Sequence, residues 1–329
     1  MDVAPELLTA LKGTPPATIT AEAVQFACGT RYPFGPNGCL NALEPMSPDV
    51  LQELEGMRHE NPAAFPTIAS TIFQKVDRVN TFAERKATTK DMPKDYFLST
   101  ELNFHYAMSK LNISGTESVL EVGAEHDMPF LQAFHARGCH AFATNIYYSF
   151  SDAQPPPPRW HVVMGDMNRL PYRDGAFDVV FASATTHHTP HLPTLMKELC
   201  RVVKPGGRLL VLNDPSHGVV KHAFNKLTSW GKKGGTRNEL IHENEYSPLA
   251  YKSLATAEGL SLVESFFSVY YDEKLQAGNV KGVRFAALGT AVSLAWKVKP
   301  VRWFLSKAML LPGQLLIGLE INMIFQKAH

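Results

Sequence analysis

The chain of 329 residues is long enough to bury a substantial core, as one large α/β domain with an appendage or as two modest domains. Its 45% hydrophobic and 19% charged content is that of an ordinary globular protein, and a formal net charge of +1 excludes a global basic field that would draw nucleic acid or anionic lipid. Four scattered cysteines, Cys28, Cys39, Cys139 and Cys200, form no CxxC pair, so neither a disulfide framework nor a complete zinc site is expected.

The N-terminal MDVAPELLTALKG lacks a basic leader followed by a sustained apolar run, so no secretory signal is expected and a cytoplasmic, reducing location is the default. Residues 1–100 are rich in Pro and Gly at first and become helical in pattern over 48–55 and 62–86, which predicts a mainly helical accessory cap. From residue 101 to 329 strand-like apolar runs alternate with helix-like segments, as a doubly wound α/β domain requires. The strands are SVLEVG (118–123), CHAFATN (139–145), HVVMGD (161–166), FDVVFASA (177–184), RLLVLND (208–214), LSLVESFFSVYY (260–271) and LLIGLEINMIF (315–325). Helices are expected over 130–137, 192–203 and 247–259. Pro205 ends the second of these, and Gly206 with Gly207 permits the turn into the next strand.

Residues 273–315 read as an insertion before the last strand. They carry Lys281, Arg284, Lys297, Lys299, Arg302 and Lys307 among apolar residues. That composition suits either an amphipathic segment making peripheral contact with a membrane or a helical pair packed on the core with its basic side chains outward. No transmembrane helix is expected, because residues 285–296 are too short a run and the later apolar stretch is interrupted by Lys307, Pro312 and Glu320.

The chemistry-bearing residues fall at the carboxyl ends of these strands, where open α/β sheets bind their ligands. VLEVG ends on Gly123, which serves either a close ligand approach or an ordinary turn. GDMNRLPYRDGAFDVVFASATTHH sets Asp166 after one strand, where it can accept a hydrogen bond from an adenine amino group or simply solvate a turn. Met167 beside it can lie against the ring. His187 and His188 follow the fourth strand, and imidazole has the intrinsic pKa to take a proton from a hydroxyl near neutral pH. The same two histidines would also suit a helix cap.

Read together, VLEVGAEHDMPF, GDMNRLPYRDGAFDVVFASATTHH and ELCRVVKPGGRLLVLND resemble, in the correct order, the motifs of the class I S-adenosylmethionine (SAM)-dependent methyltransferases that act on small molecules. The resemblance covers residues 101–271 and implies a Rossmann-like fold, a mostly parallel seven-stranded sheet with helices on both faces. It implies SAM as cofactor, with Glu121 and Gly123 near its methionine and ribose parts and Asn145 at the ribose. Asp166 and Met167 would hold the adenine, and Ser183, Ala184 and Thr185 would lie near the sulfonium. Where the family has three small residues at alternating positions, this chain has Gly123, Glu125 and Asp127, and Asn145 replaces the usual ribose-binding acid. Glu125 with Glu121 can supply the missing contacts; alternatively the two carboxylates crowd the carboxylate of SAM.

ACGTRYPFGPNGCLNAL is similar to the second half of a zinc-ribbon segment that precedes some methyltransferases, but the two CxxC pairs such a site needs are absent, so no metal is expected. A dinucleotide oxidoreductase would need G-x-G-x-x-G, which the residues after Gly123 do not provide. Methyl transfer to a small-molecule acceptor, at a hydroxyl oxygen with His187 or His188 as base, is the expected function. The rival is a catalytically degenerate methyltransferase-like binding or regulatory protein, motivated by Glu125, Asp127 and Asn145. The acceptor is expected to meet the cap, His217, His242 with Glu243, the basic Lys232, Lys233 and Arg237, and the insertion.

Overall fold

The computed structural model describes residues 4–88, 94–124, 128–154, 160–216, 244–266, 268–269, 297–303 and 320–329. The N-terminal part forms α1 (Pro5–Ala10), β1 (Ala17–Ile19), β2 (Ala23–Phe26), β3 (Arg31–Pro33), β4 (Leu40–Asn41), α2 (Pro48–Glu60), α3 (Ile68–Ile72), β5 (Phe73–Lys75) and α4 (Phe82–Thr88). There follow α5 (Lys94–Ser109), β6 (Ser118–Val122), α6 (Pro129–His135), β7 (His140–Asn145), β8 (Tyr148–Phe150), β9 (Trp160–Met164) and β10 (Phe177–Ser183). The chain closes with α7 (Leu192–Val202), β11 (Val203–Asp214), α8 (Pro248–Ala257), β12 (Leu260–Ser265), α9 (Lys299–Trp303) and β13 (Ile321–Lys327). Apart from residues 297–303, the insertion expected over 273–315 lies outside the described residues, Lys281, Arg284 and Lys307 included.

The main sheet has eight strands in the order β12-β13-β11-β10-β6-β7-β9-β4. Seven of them are the expected ones, and β13 alone runs antiparallel to its two neighbours. The eighth comes from the cap: β4 adds to the β9 edge in parallel, Leu40 opposite Val163 and Asn41 opposite Met164. Two residues are too few to show an alternating pattern, so nothing in the sequence marked them as a strand. Their effect is to cover an edge that would otherwise expose unpaired backbone groups.

Two further differences have local causes. β11 starts at Val203, ahead of the Pro-Gly-Gly turn, because Val203 already pairs with Phe177 before the register jumps to Arg208 opposite Val179. The expected helical run over 62–86 is broken into α3, β5 and α4, since residues 73–75 pair in parallel with β8. There the tertiary partner outweighs the helical period.

Alternation along the strands sends side chains to two cores. Leu120, Val122, Phe142, Val163, Val180, Leu209 and Val211 pack with α7 and α8 on one face. Val119, Ala141, Val162, Phe181, Leu210 and Leu212 pack with α5 and α6 on the other. The cap contributes to both, with Leu7, Leu11 and Phe26 in the first and Val50, Leu54 and Ile72 in the second. α2 begins in a well-formed way: the Ser47 hydroxyl accepts from the Val50 N–H, Pro48 occupies the first turn, and Asp49 lies at the positive end of the helix dipole. Among the described residues no helix is long and apolar enough to cross a membrane.

Candidate active site

The carboxyl ends of β6, β7, β9 and β10 open into one cleft of about 840 Å³, within the usual range for small-molecule sites. Its floor is Gly123, Asn145, Gly165, Asp166 and Met167, and its far wall runs from Ser183 through Ala184 and Thr185 to His187 and His188. The roof is α2, which turns Asp49, Val50, Glu53, Met57 and Glu60 inward at helical spacing. This roof is fastened at its first residue, because the Ser47 hydroxyl that caps α2 also donates to Asp166 Oδ2 at 2.9 Å. The cap helix and the floor therefore share one hydrogen-bonded joint.

On the floor, Gly123 has φ +74, and a Cβ there would lie 2.2 Å from the Thr185 side chain. Only glycine fits both the backbone angle and the close approach. Asn145 is committed locally, its amide donating to the Ala124 carbonyl at 2.8 Å while its oxygen accepts from the Ile146 N–H at 2.7 Å. Asp166 is likewise engaged, accepting from Asn168 N–H through Oδ1 at 2.8 Å as well as from Ser47. Glu121 is 3% exposed in β6 and is not among the lining residues. Glu125 and Asp127 lie outside the described residues, as do His217, Lys232, Lys233, Arg237, His242 and Glu243.

The far wall is built differently. Ala184 adopts φ +50, a strained angle for a residue with a Cβ, and its N–H is held by the Leu212 carbonyl at 2.8 Å. The short turn beyond it carries the histidines. His187 Nδ1 is 2.9 Å from Asp214 Oδ1, and the same oxygen accepts the His187 backbone N–H at 3.0 Å. Asn244 closes the turn from the other side by donating its N–H to the His187 carbonyl at 2.8 Å. His188 lies tilted against His187 with ring centroids 4.2 Å apart and turns Nδ1 toward Glu53 on α2 at 3.4 Å. His191 similarly meets Asp49 at 3.2 Å.

Beyond the histidines, Asn213 joins Ser183 to Asn103, donating to the Ser183 hydroxyl at 2.9 Å and accepting from Asn103 at 2.8 Å. Asn103 and Ser99 also donate to Glu320, and burial pushes this carboxyl above the usual carboxylate range against those bonds. Glu320 lines the cleft. Sequence reasoning missed Asp214, Asn213 and Glu320; the readable signal was the ND pair ending RLLVLND at the ligand-binding edge of the sheet.

Residues 120–211 match the family model described as a methyltransferase domain. Over these residues the chain is similar to the SAM-dependent methyltransferases. It is 26% identical over 231 residues to the glycine/sarcosine/dimethylglycine N-methyltransferase of Actinopolyspora halophila, covering 62% of this chain and 40% of that one. It is 32% identical over 133 residues to the ubiquinone/menaquinone biosynthesis C-methyltransferase UbiE of Neisseria meningitidis, covering 38% of this chain and 54% of the relative. The chain thus spans 40% and 54% of these relatives' lengths. Among solved structures, phosphoethanolamine N-methyltransferase 2 of Haemonchus contortus in complex with SAM matches with a TM-score of 0.41 and 13% identity, covering 76% of this chain and 61% of that one.

The family's cofactor is SAM, and the cleft's donor set suits it. Asp49, Glu53, Glu60, Asp166, Glu245 and Glu320 line the cleft, while the described lining holds no lysine or arginine. A sulfonium and an ammonium are matched by that sign of charge. Among the described residues no group of His, Cys, Asp and Glu could hold a metal ion.

Proposed function

We propose that the chain methylates a hydroxyl oxygen of a small metabolite, using SAM and a histidine of the far wall as general base. The observation that carries this reading is that His187 and His188 stand on the cleft directly after Ser183, Ala184 and Thr185. When bound, SAM supplies an electrophilic methyl group: the acceptor oxygen forms the new bond to carbon and the carbon–sulfur pair stays on sulfur. The backbone at Gly123 and Gly165 would flank the cofactor, Met167 would lie against the adenine, and Asp166 would reach its amino group. The floor's part is to align and exclude water, the wall's part to hold the base. Residues 1–100 act as a cap on the domain of residues 101–329, with α2 as its working face.

Isothermal titration with SAM tests the cofactor, and the pH–rate profile of a His187→Ala, His188→Ala double variant tests the base. Loss of the profile's acid limb together with most of the rate is the expected result; an unchanged profile excludes both histidines. A second reading is favoured by Asn145, an uncharged side chain whose amide already bonds Ala124 and Ile146: a methyltransferase-like binding protein without turnover. No heat at millimolar SAM would support it.

A further inference from the structure

The histidine pair is not symmetric, and the asymmetry identifies a residue that the sequence motifs pass over. Asp214 ends β11 with 0% of its surface exposed. A carboxylate so deep is tolerated when it is hydrogen-bonded, and one oxygen here takes two donors, the His187 N–H and Nδ1. Its other oxygen, Oδ2, is buried with no hydrogen-bond partner among the described residues. Tyr251, 0% exposed beneath the turn, is pushed up by burial and then by the Asp214 charge, and it bonds the Thr186 hydroxyl at 2.5 Å. Asn244 and Tyr246 close over the same turn through the carbonyls of His187 and Thr189. The imidazole of His187 therefore sits on a rigid turn with an acceptor-only group behind it.

We infer that Asp214 is a positioning residue, fixing His187 as the Nδ1–H tautomer so that Nε2 carries the lone pair offered to the acceptor. This rests on the methyl-transfer reading above. An ionised carboxylate can only accept, so the proton between the two groups belongs to Nδ1, and the neutral ring then has its free pair on Nε2. Among the described residues Nε2 has no hydrogen-bond partner, and His187 lines the cleft. As the acceptor's O–H proton moves to Nε2, the ring becomes an imidazolium facing the Asp214 carboxylate, which stabilises that charge without taking the proton. A buried aspartate behind the histidine of a serine-hydrolase triad acts by the same physics. His188 is held differently: its Nδ1 faces Glu53 on the cap helix at 3.4 Å, and its side chain is 35% exposed against 12% for His187.

Long-range proton–nitrogen NMR of the full chain tests the inference without an acceptor, with His187 assigned by its loss in His187→Gln. In the wild type His187 Nε2 should resonate as a pyridine-type nitrogen at neutral to basic pH. In Asp214→Asn, whose amide can donate to Nδ1, the two nitrogens should exchange character. Wild-type His187 found as the Nε2–H tautomer overturns the inference even if Asp214→Asn fails to fold, and so does an Asp214→Asn protein with the wild-type pattern. SAM titration separates the two levels: absent heat with the Nδ1–H tautomer intact removes the methyl-transfer reading and keeps the pairing, whereas SAM binding with the opposite tautomer removes the pairing alone.

Discussion

The floor and the far wall of the cleft use polar side chains in opposite ways. On the floor, Asn145 and Asp166 also hold the chain's own backbone and the cap helix, beside the bare backbone of Gly123 and Gly165. On the wall, a buried carboxylate, a clamped turn and a strained strand end combine to leave one imidazole nitrogen without a partner among the described residues. The floor fixes a shape, and the wall keeps a reactive atom. Polar residue type alone does not distinguish these uses; the hydrogen-bond partners do.

Perturbing the floor's shape should have the largest effect. In Gly123→Val a Cβ would meet Thr185 at 2.2 Å with φ at +74. The backbone angle alone costs about 1–3 kcal/mol. SAM binding by titration calorimetry should vanish, and retained affinity would show that the floor does not need bare backbone. Removing the wall's base comes next. His187→Ala should slow transfer to an oxygen acceptor about 10²–10⁴-fold with SAM affinity nearly unchanged, whereas His188→Ala should cost much less. Equal losses in steady-state rates would erase the asymmetry between the two rings.

Asn145→Ala tests the floor's tether more gently. Freeing the Ala124 carbonyl should cost about 1 kcal/mol of SAM affinity, near a fivefold rise in Kd by calorimetry. Tyr251→Phe leaves the Thr186 hydroxyl without its 2.5 Å partner under the wall, and Tm should fall by about 2–4 °C in a thermal melt.

The smallest effect is expected at the opposite edge of the sheet. Burial raises the Glu117 carboxyl, but bonds from the Ser114 N–H and hydroxyl and the Gly115 N–H outweigh it and hold the pKa at about 2. A depressed carboxylate stabilises the fold above its unfolded value and loses that contribution as pH falls toward its folded value. The Tm difference between wild type and Glu117→Gln should thus be full at pH 6 and shrink between pH 4.5 and 2.

Much of the scaffold was legible because strand ends are marked locally. Gly123, Asp166, Ser183, Ala184, Thr185, His187 and His188 were marked by their positions after apolar runs, and all of them line the cleft, whereas Glu121 is buried in β6 and does not. β4 was not legible, since two residues carry no period, and neither was β5, whose pairing with β8 comes from residues 75 positions away. The roof of the cleft escaped for the same reason: α2 was readable as a helix, but not the Ser47 bond that aims it at Asp166.

The sequence by itself determined the alternation of strands and helices, the edge of the sheet at which the cleft opens, and the family that the three ordered motifs resemble. These depend on periodicity and on glycine and proline, whose effects are confined to a few neighbouring residues. Only the tertiary structure decided that Asn145 serves the backbone, that an acidic cap helix roofs the site, and that His187 rather than His188 is backed by Asp214. Those outcomes depend on distances between residues 21 to 119 positions apart, set by how two cores pack against one twisted sheet.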